Sequence, residues 1–103
     1  MPVFVFSLDS PDDDATVFSR MFAPIFGVAE DPATGGASGP LGSYLLHHGI
    51  VSAETATHMI SVQGVHMGRP SEIHIAIGSE DGEIGDVRVG GSAVLVAEGS
   101  LRV

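Results

Sequence analysis

The residues best suited to chemistry lie in one short stretch, EDPATGGASG, at positions 30 to 39. Asp31 stands there ahead of a proline and three glycines, and an apolar run follows, so its carboxylate lies at the start of a predicted helix. Free backbone N–H groups and the positive end of a helix dipole both favour an ionised acid. An ionised Asp31 can bind a ligand's ammonium or hydroxyl group, and the N–H groups that follow can bind its carboxylate. The candidates for this second role are Thr34, Gly35, Gly36 and Ala37.

The same residues allow a simpler interpretation. Asp31 or Thr34 then only caps the helix, and the glycines only turn the chain. Spacing alone favours this simpler role. The glycines match neither the dinucleotide-binding fingerprint nor, since the chain has no lysine, a phosphate-binding P-loop.

Other polar and glycine residues receive structural roles first. Arg69 has the chemistry to bind a ligand carboxylate, but a surface ion pair or a role in holding a turn is favoured. Gly90 and Gly91 are predicted to let the backbone approach the helix closely, with lining of a ligand cleft as the alternative. Glu30 is predicted to face solvent, because neighbouring side chains diverge.

No metal site is predicted from the histidines or the acidic run. His47 and His48 lie at the helix end, where positive charge is favourable. The other histidines fall in separate strand segments without a metal-ligand spacing: His58, His66 and His74. The acids at positions 12 to 14 lack the alternating spacing and the glycine of a calcium loop, so they are predicted to form a solvated turn.

Composition excludes several classes of function. Thirteen acids face four cations, and the net charge of −9 disfavours binding to nucleic acids or anionic membranes. All four cations are arginines, so no lysine can form a Schiff base with pyridoxal phosphate or a carbonyl substrate. The chain has no cysteine and no recognisable signal peptide or membrane helix. We therefore expect one soluble cytoplasmic domain, residues 1–103.

One helix is predicted after the acidic motif. Its apolar residues are at helical spacing: Leu41, Tyr44, Leu45 and His48. Pro40 has no N–H and is tolerated only in the first turn, so the helix is predicted to begin between positions 36 and 38. Gly49 supplies the C-cap.

Six segments have the character of strands. Residues 2–8 and 15–22 are rich in valine and phenylalanine and flank the acidic turn DSPDDD. Four more follow the helix: HMISVQGVHMG, PSEIHIAIG, GEIGDVRVGG and SAVLVAEGSLRV. Isoleucines alternate with other residues in the second of these, so His74 is predicted to face outward. GSEDGEIG predicts a hairpin turn, and six or seven short strands around one helix predict an α+β roll.

Four segments together resemble a known family. RMFAP, GVAEDPATGGASG, QGVHMGRPSEI and VRVGGSAVLVAEGSL, in this order, resemble the C-terminal half of the phenazine-biosynthesis isomerase (PhzF-like) family, from about Val3 to Val103. The resemblance implies the diaminopimelate-epimerase-like fold, in which two similar domains face each other across a substrate cleft. This chain would form one such half, an antiparallel strand roll around a single central helix.

The resemblance also implies a chemistry. Asp31 is then the acid that reaches the substrate from this half, and the PATGG that follows it lines the cleft. The family shuttles protons on small amino acid-like substrates without a cofactor or metal, typified by isomerisation of a dihydro-hydroxyanthranilate. Its principal glutamate and a glycine-histidine pair lie in the N-terminal half, for which 103 residues leave no room. Gly36 stands where a serine is usual, and Pro40 where an alanine is common.

Three hypotheses follow. A half that normally buries one face against its other half needs a cover for that face, so we expect a homodimer that rebuilds the cleft for a small amino- or hydroxy-acid ligand. The second is a non-catalytic binding or interaction module, and the third is a fragment of a two-domain isomerase.

Overall fold

A computed structural model describes residues 1–10 and 14–103, which form a six-stranded sheet with two α-helices and two 3-10 turns. Of the predicted acidic turn DSPDDD, positions 11 to 13 lie outside the described residues. The strands are β1 (Val3–Ser7), β2 (Val17–Ala23), β3 (Val28–Asp31), β4 (Met59–Gln63), β5 (Ser71–Glu80) and β6 (Glu83–Gly90). The helices are α1 (Gly35–His47) and α2 (Ala53–Ala56), and the 3-10 turns are Pro24–Phe26 and Val65–Met67. None of the helices in the described part of the chain is long and apolar enough to cross a membrane.

The sheet is mixed rather than antiparallel. Its order is β1-β2-β4-β5-β6, with β3 paired to β2 as well. All pairs are antiparallel except β2 and β4, which run parallel with Val17 opposite Ser61. A parallel pair needs a long crossover, and the chain makes it here through β3, α1 and α2. The prediction of an all-antiparallel sheet is therefore wrong, whereas the α+β class is confirmed. The structure has one long helix, α1, and a second helix, α2, of only four residues.

Helix α1 begins and ends close to the predicted residues. Thr34 is its N-cap, and Gly35 is its first residue, one position before the predicted range. Gly49 has a φ of +66°, and its N–H donates to the carbonyl of Leu46 at 3.0 Å, as expected of a glycine that ends a helix. Pro40 lies inside the helix beyond its first turn, which the sequence argument did not allow.

The buried face of α1 differs from the predicted one. Tyr44 is 48% exposed and His48 is also exposed. Leu41 and Leu45 are buried as predicted, and the other buried positions are Ser38, Gly39 and Gly42. This face packs on β5 and β6, and small residues form much of it because the backbones come close together. A Cβ added at Gly42 would lie 2.5 Å from Cγ2 of Ile75.

The β5–β6 hairpin follows the prediction. Ile73, Ile75 and Ile77 are buried, while His74 between them is partly exposed. Asp81 and Gly82 connect the strands with φ values of +54° and +80°. Positive φ at both central residues is typical of a two-residue hairpin turn.

The chain after Gly90 departs from the prediction. SAVLVAEGSLRV was expected to form a last strand, but residues 91–103 belong to no helix or strand. Val94, Leu95 and Val96 are between 80% and 90% exposed. A strand requires a hydrogen-bonding neighbour, and this segment lies against none.

Candidate functional site

Asp31 is held by a small hydrogen-bond network at the start of α1. The hydroxyl of Thr34 donates to Oδ2 of Asp31 at 2.6 Å. The side-chain amide of Gln63 donates to the Asp31 carbonyl at 2.9 Å and to the Thr34 hydroxyl at 2.8 Å. Its amide oxygen accepts from the backbone N–H of Thr34 at 3.2 Å. Gln63 is fully buried, so it fixes the orientation of both partners.

The network joins the ends of two strands. Asp31 is the last residue of β3, and Gln63 is the last residue of β4. Gly64 follows with a φ of +80°, and a Cβ there would overlap the carbonyl oxygen of Arg69 and lie 2.9 Å from that of Pro32. Only glycine permits this contact, which keeps the segment after Asp31 against the end of β4.

Neither Asp31 nor Thr34 acts as a side-chain cap. Thr34 occupies the N-cap position, but its side chain makes no capping hydrogen bond and binds Asp31 instead. The simpler interpretation suggested by spacing is therefore wrong for these two side chains. Oδ1 of Asp31 accepts no hydrogen bond from residues 1–10 and 14–103, and the residue is partly exposed, so this oxygen keeps its full capacity to accept hydrogen bonds.

Three of the four predicted N–H donors remain available. The N–H of Thr34 already donates to Gln63. The N–H groups of Gly35, Gly36 and Ala37 precede the first intrahelical hydrogen bond of α1. The prediction of N–H donors for a ligand carboxylate therefore stands for Gly35, Gly36 and Ala37 but not for Thr34.

A cleft of about 620 Å³ lies next to this network. Three predicted ligand-binding residues line it together, namely Gly35 of α1 with Gly90 and Gly91 at the end of β6. Its polar lining comes from Ser71, Glu72, His74 and Ser92. Asp31, Thr34 and Gly36 do not line this cleft, and Ala37 lines a separate apolar groove beside β1.

The two glycines at the end of β6, Gly90 and Gly91, do not serve close packing on the helix. A Cβ at Gly90 would meet no atom within 4 Å, and one at Gly91 would meet only the Glu72 carbonyl oxygen at 3.5 Å. The close approach to α1 that was predicted for them occurs instead at Gly39 and Gly42, inside the helix. Their position in the cleft matches the alternative interpretation.

Glu30 does not face solvent as predicted. Arg20 binds it through two hydrogen bonds, Nη2 to Oε1 at 2.9 Å and Nε to Oε2 at 3.2 Å. The Glu30 side chain is 14% exposed. The hydrogen bonds from Arg20 hold the pKa of Glu30 below its ordinary value. Arg20 also lies over the ring of Phe22, 4.8 Å from its centroid, which orients the guanidinium.

The remaining cationic residues lie at the surface. Arg69 is exposed and makes no side-chain ion pair within the described part of the chain, although its backbone N–H closes a turn to Gly64 at 2.9 Å. The rings of His47 and His48 meet edge to face at the end of α1, with centroids 4.9 Å apart. Among residues 1–10 and 14–103, no three histidine or acidic side chains lie close enough together to hold a metal ion.

Sequence reasoning missed Gln63 and Gly64. Both stand in QGVHMGRPSEI, one of the four segments that carry the family resemblance, but nothing in their local spacing relates them to Asp31, more than 30 residues earlier. A polar glutamine between the apolar run of a predicted strand and a glycine was the available signal.

Comparison with known proteins gives a consistent result. Residues 2–99 match the PhzC-PhzF family of phenazine biosynthesis-like proteins. An uncharacterised isomerase of Clostridium acetobutylicum is 37% identical over 99 residues, which are 95% of this chain and 33% of that protein. Trans-2,3-dihydro-3-hydroxyanthranilate isomerase of Pseudomonas chlororaphis is 39% identical over 83 residues, which are 81% of this chain and 29% of that protein.

The fold is similar to that of a solved relative. The crystal structure of a Bacillus anthracis phenazine biosynthesis protein of the PhzF family aligns with a TM-score of 0.62 and 20% identity, over 90% of this chain and 35% of that one. This chain spans about a third of the length of the curated relatives it matches. The resemblance carried by the four segments is confirmed, and the chain belongs to the phenazine biosynthesis-like (PhzC-PhzF) family.

Proposed function

We propose that this chain is a cofactor-independent isomerase or epimerase domain of the PhzF type, and that two copies pair to rebuild a cleft for a small amino or hydroxy acid. The observation that carries the proposal is the fixed carboxylate of Asp31 at the start of α1. Thr34 and the buried Gln63 hold it there, and one of its oxygens is left open. A family member, trans-2,3-dihydro-3-hydroxyanthranilate isomerase, is by its name an isomerase, and its named substrate carries both an amino and a hydroxyl group.

The ligand class follows from the groups at the site. An ammonium or hydroxyl group pairs with the Asp31 carboxylate, and a ligand carboxylate accepts hydrogen bonds from the free N–H groups of Gly35 and Gly36 at the positive end of α1. Because both residues are glycines, no side chain at either position obstructs a ligand that approaches the N–H groups. A molecule with both groups on adjacent carbons fits this arrangement.

The proposed chemistry is a proton transfer that needs two groups. Asp31 of one copy takes a proton from a carbon of the ligand, and Asp31 of the second copy, in its protonated form, returns one to another position or face. Two carboxyl groups across a small cleft hold one proton between them because like charges repel at close range. The ligand keeps its composition, so no oxidant, metal or cofactor enters the balance.

Hydrogen exchange with solvent tests the proposal directly. The protein is incubated in deuterated water with a panel of small amino and hydroxy acids, and proton NMR follows the loss of the signal at the carbon beside the carboxylate. We expect exchange with at least one acid of the panel in the wild type and none with Asp31→Asn. Asp86→Asn is the matched control, because Asp86 is an exposed acid on β6 paired only with Arg88, and it should leave exchange unchanged.

Other outcomes separate the remaining hypotheses. Ligand binding seen by calorimetry without any exchange would replace the isomerase proposal with a binding module. Exchange that appears only after a separate PhzF-type N-terminal half is added would replace the homodimer with a two-part enzyme. Exchange that persists in Asp31→Asn would remove Asp31 from the mechanism.

A further inference from the structure

Residues 92–103, called here the C-terminal segment, extend away from the sheet and are rich in apolar residues. Val94, Leu95, Val96 and Leu101 are each at least 80% exposed, so they touch little of their own copy. The Cα radius of gyration is 15.2 Å, whereas a compact chain of this length has about 13 Å. A projecting segment accounts for that difference.

The C-terminal segment has the composition of a strand that lacks a neighbour. Its first six residues, SAVLVA, contain no charge, proline or glycine and include two valines and a leucine. Such a sequence favours the extended conformation and pairs readily with an exposed sheet edge. Left in water, it would be a site of association.

The same molecule has a free edge to receive a strand. Strand β1 pairs with β2, and within the described residues its other edge has no partner. Val3 and Val5 on β1 are 47% and 45% exposed, and residues 2–8 carry no charged side chain. Beside this edge lies an apolar groove of about 400 Å³ that Phe4, Phe6 and Tyr44 line together with Ala37, Pro40 and Leu41.

We propose that the C-terminal segment of one copy adds as a strand to the β1 edge of a second copy, and that the exchange is reciprocal. Strands β6 and β1 are at opposite ends of the sheet order, with three strands between them. The other terminal strand, β6, carries Glu83, Asp86 and Arg88, so β1 is the uncharged edge. Each copy thus has one segment and one such edge, and a two-fold pair uses both and closes. The surfaces that meet, residues 2–8 and 92–97, are uncharged, although the chain as a whole carries −9. This inference rests on the proposed homodimer and names the contact that forms it.

Light scattering coupled to size exclusion tests the contact. The wild type should be a dimer, and the double variant Val94→Asp with Val96→Asp should raise the dissociation constant at least about 100-fold, since each buried valine is worth about tenfold or more. Far-UV circular dichroism of the variant should keep the signal of the six-stranded sheet and lose only that of the added strand, because both side chains are already exposed in the single copy. Ile25→Asp is the control. Ile25 is also exposed, at 68%, but lies in the 3-10 turn after β2, so its replacement should leave the dimer unchanged.

Cysteine cross-linking identifies which copy supplies the strand. The chain has no cysteine, so Val5→Cys in one copy and Val94→Cys in another can be joined by a short bismaleimide without background. The expected product is a covalent heterodimer after the two variants are mixed. A chain that carries both substitutions and cross-links only within itself would overturn the proposal in favour of folding back on its own sheet.

The remaining outcomes decide between the strand exchange, the homodimer and the isomerase activity. A monomeric wild type overturns both this inference and the proposed homodimer. A dimer that the Val94 and Val96 substitutions leave intact overturns the strand exchange alone, and the rebuilt cleft then stands on its hydrogen-exchange assay. A dimer that these substitutions disrupt, but that shows no hydrogen exchange, supports the strand exchange and refutes the isomerase.

Discussion

Replacing Gly42 with alanine tests whether α1 needs glycine at this position because its backbone packs close to the sheet. The added Cβ would lie 2.5 Å from Cγ2 of Ile75 and 3.1 Å from Cδ1 of Ile77. An ordinary carbon–carbon contact is about 3.5–4.0 Å, so the nearest pair is short by about 1 Å or more. Ile75 and Ile77 are 2% and 0% exposed, so neither side chain can move into solvent.

Two opposing effects set the size of the change. Alanine is more favourable than glycine inside a helix by about 1 kcal/mol. Extra volume in a packed core costs about 1–3 kcal/mol, and a clash of this depth against buried isoleucines belongs in the upper part of that range. We therefore expect Gly42→Ala to lower the free energy of unfolding by about 1–2 kcal/mol.

Two matched variants in the same helix isolate the cause. A Cβ at Gly36 meets nothing within 4 Å, so Gly36→Ala should stabilise by about 0.5–1 kcal/mol. At Gly39 the nearest atom is Cγ1 of Val87 at 3.1 Å, on a side chain that is 45% exposed and able to shift, so Gly39→Ala should fall between the two.

Urea unfolding of the wild type and the three variants measures these values, with all proteins at one concentration because a dimer's midpoint depends on it. Gly36→Ala should be the most stable of the three variants, Gly39→Ala intermediate and Gly42→Ala the least stable. If Gly42→Ala proved as stable as Gly36→Ala, close packing of α1 on β5 would be refuted.

Three further predictions concern hydrogen bonds. Gln63→Leu should lower the free energy of unfolding by about 2–3 kcal/mol in urea titrations, because the N–H and the hydroxyl of Thr34 lose their buried partner. An unchanged free energy of unfolding would refute the hydrogen-bond network. Glu30→Gln should destabilise at neutral pH and approach the wild type as pH falls below the ordinary glutamate value of 4.5. The folded-state pKa is lowered, so the contribution of this pair is present above that value and is lost as pH falls through the folded-state pKa; a difference that grew in acid would contradict it. Ser19 and Ser61 share a buried hydrogen bond of 2.8 Å between β2 and β4, so each serine-to-alanine variant should cost about 1–2 kcal/mol, and the double variant about 1 kcal/mol less than their sum.

Much of the secondary structure could be predicted because its causes are local. The alternation of isoleucines in β5, the turn at Asp81 and Gly82, and the left-handed glycine after α1 each depend on a few neighbouring residues. Strand β3 was missed because its pairing depends on Met21 and Ala23 of β2, and four residues give too short a pattern. The last segment was assigned a strand on composition, but no neighbouring edge lies against it.

The face of α1 was misassigned for a specific reason. The apolar spacing counted Tyr44 as buried and gave no weight to Ser38 and Gly42. A helix that lies close to a sheet buries its smallest residues at the point of contact, whereas large side chains such as Tyr44 are displaced to the margin. The hydrophobicity of the residues alone cannot reveal the buried face of α1, because it carries no information about the distance between the helix and the sheet.

The candidate site also has one part that the local sequence predicts and another that depends on contacts between distant residues. The local sequence was sufficient to predict that an acid stands before a glycine-rich helix start, because a proline, glycines and an apolar run in succession have few other conformations. It could not predict that Gln63 would hold Asp31 and Thr34, or that Gly90 and Gly91 would lie opposite Gly35 in one cleft. These residues lie some 30 to 55 positions apart in the chain. Only the pairing of β3 and β4 with β2, and of β5 with β4 and β6, brings them to one side of α1.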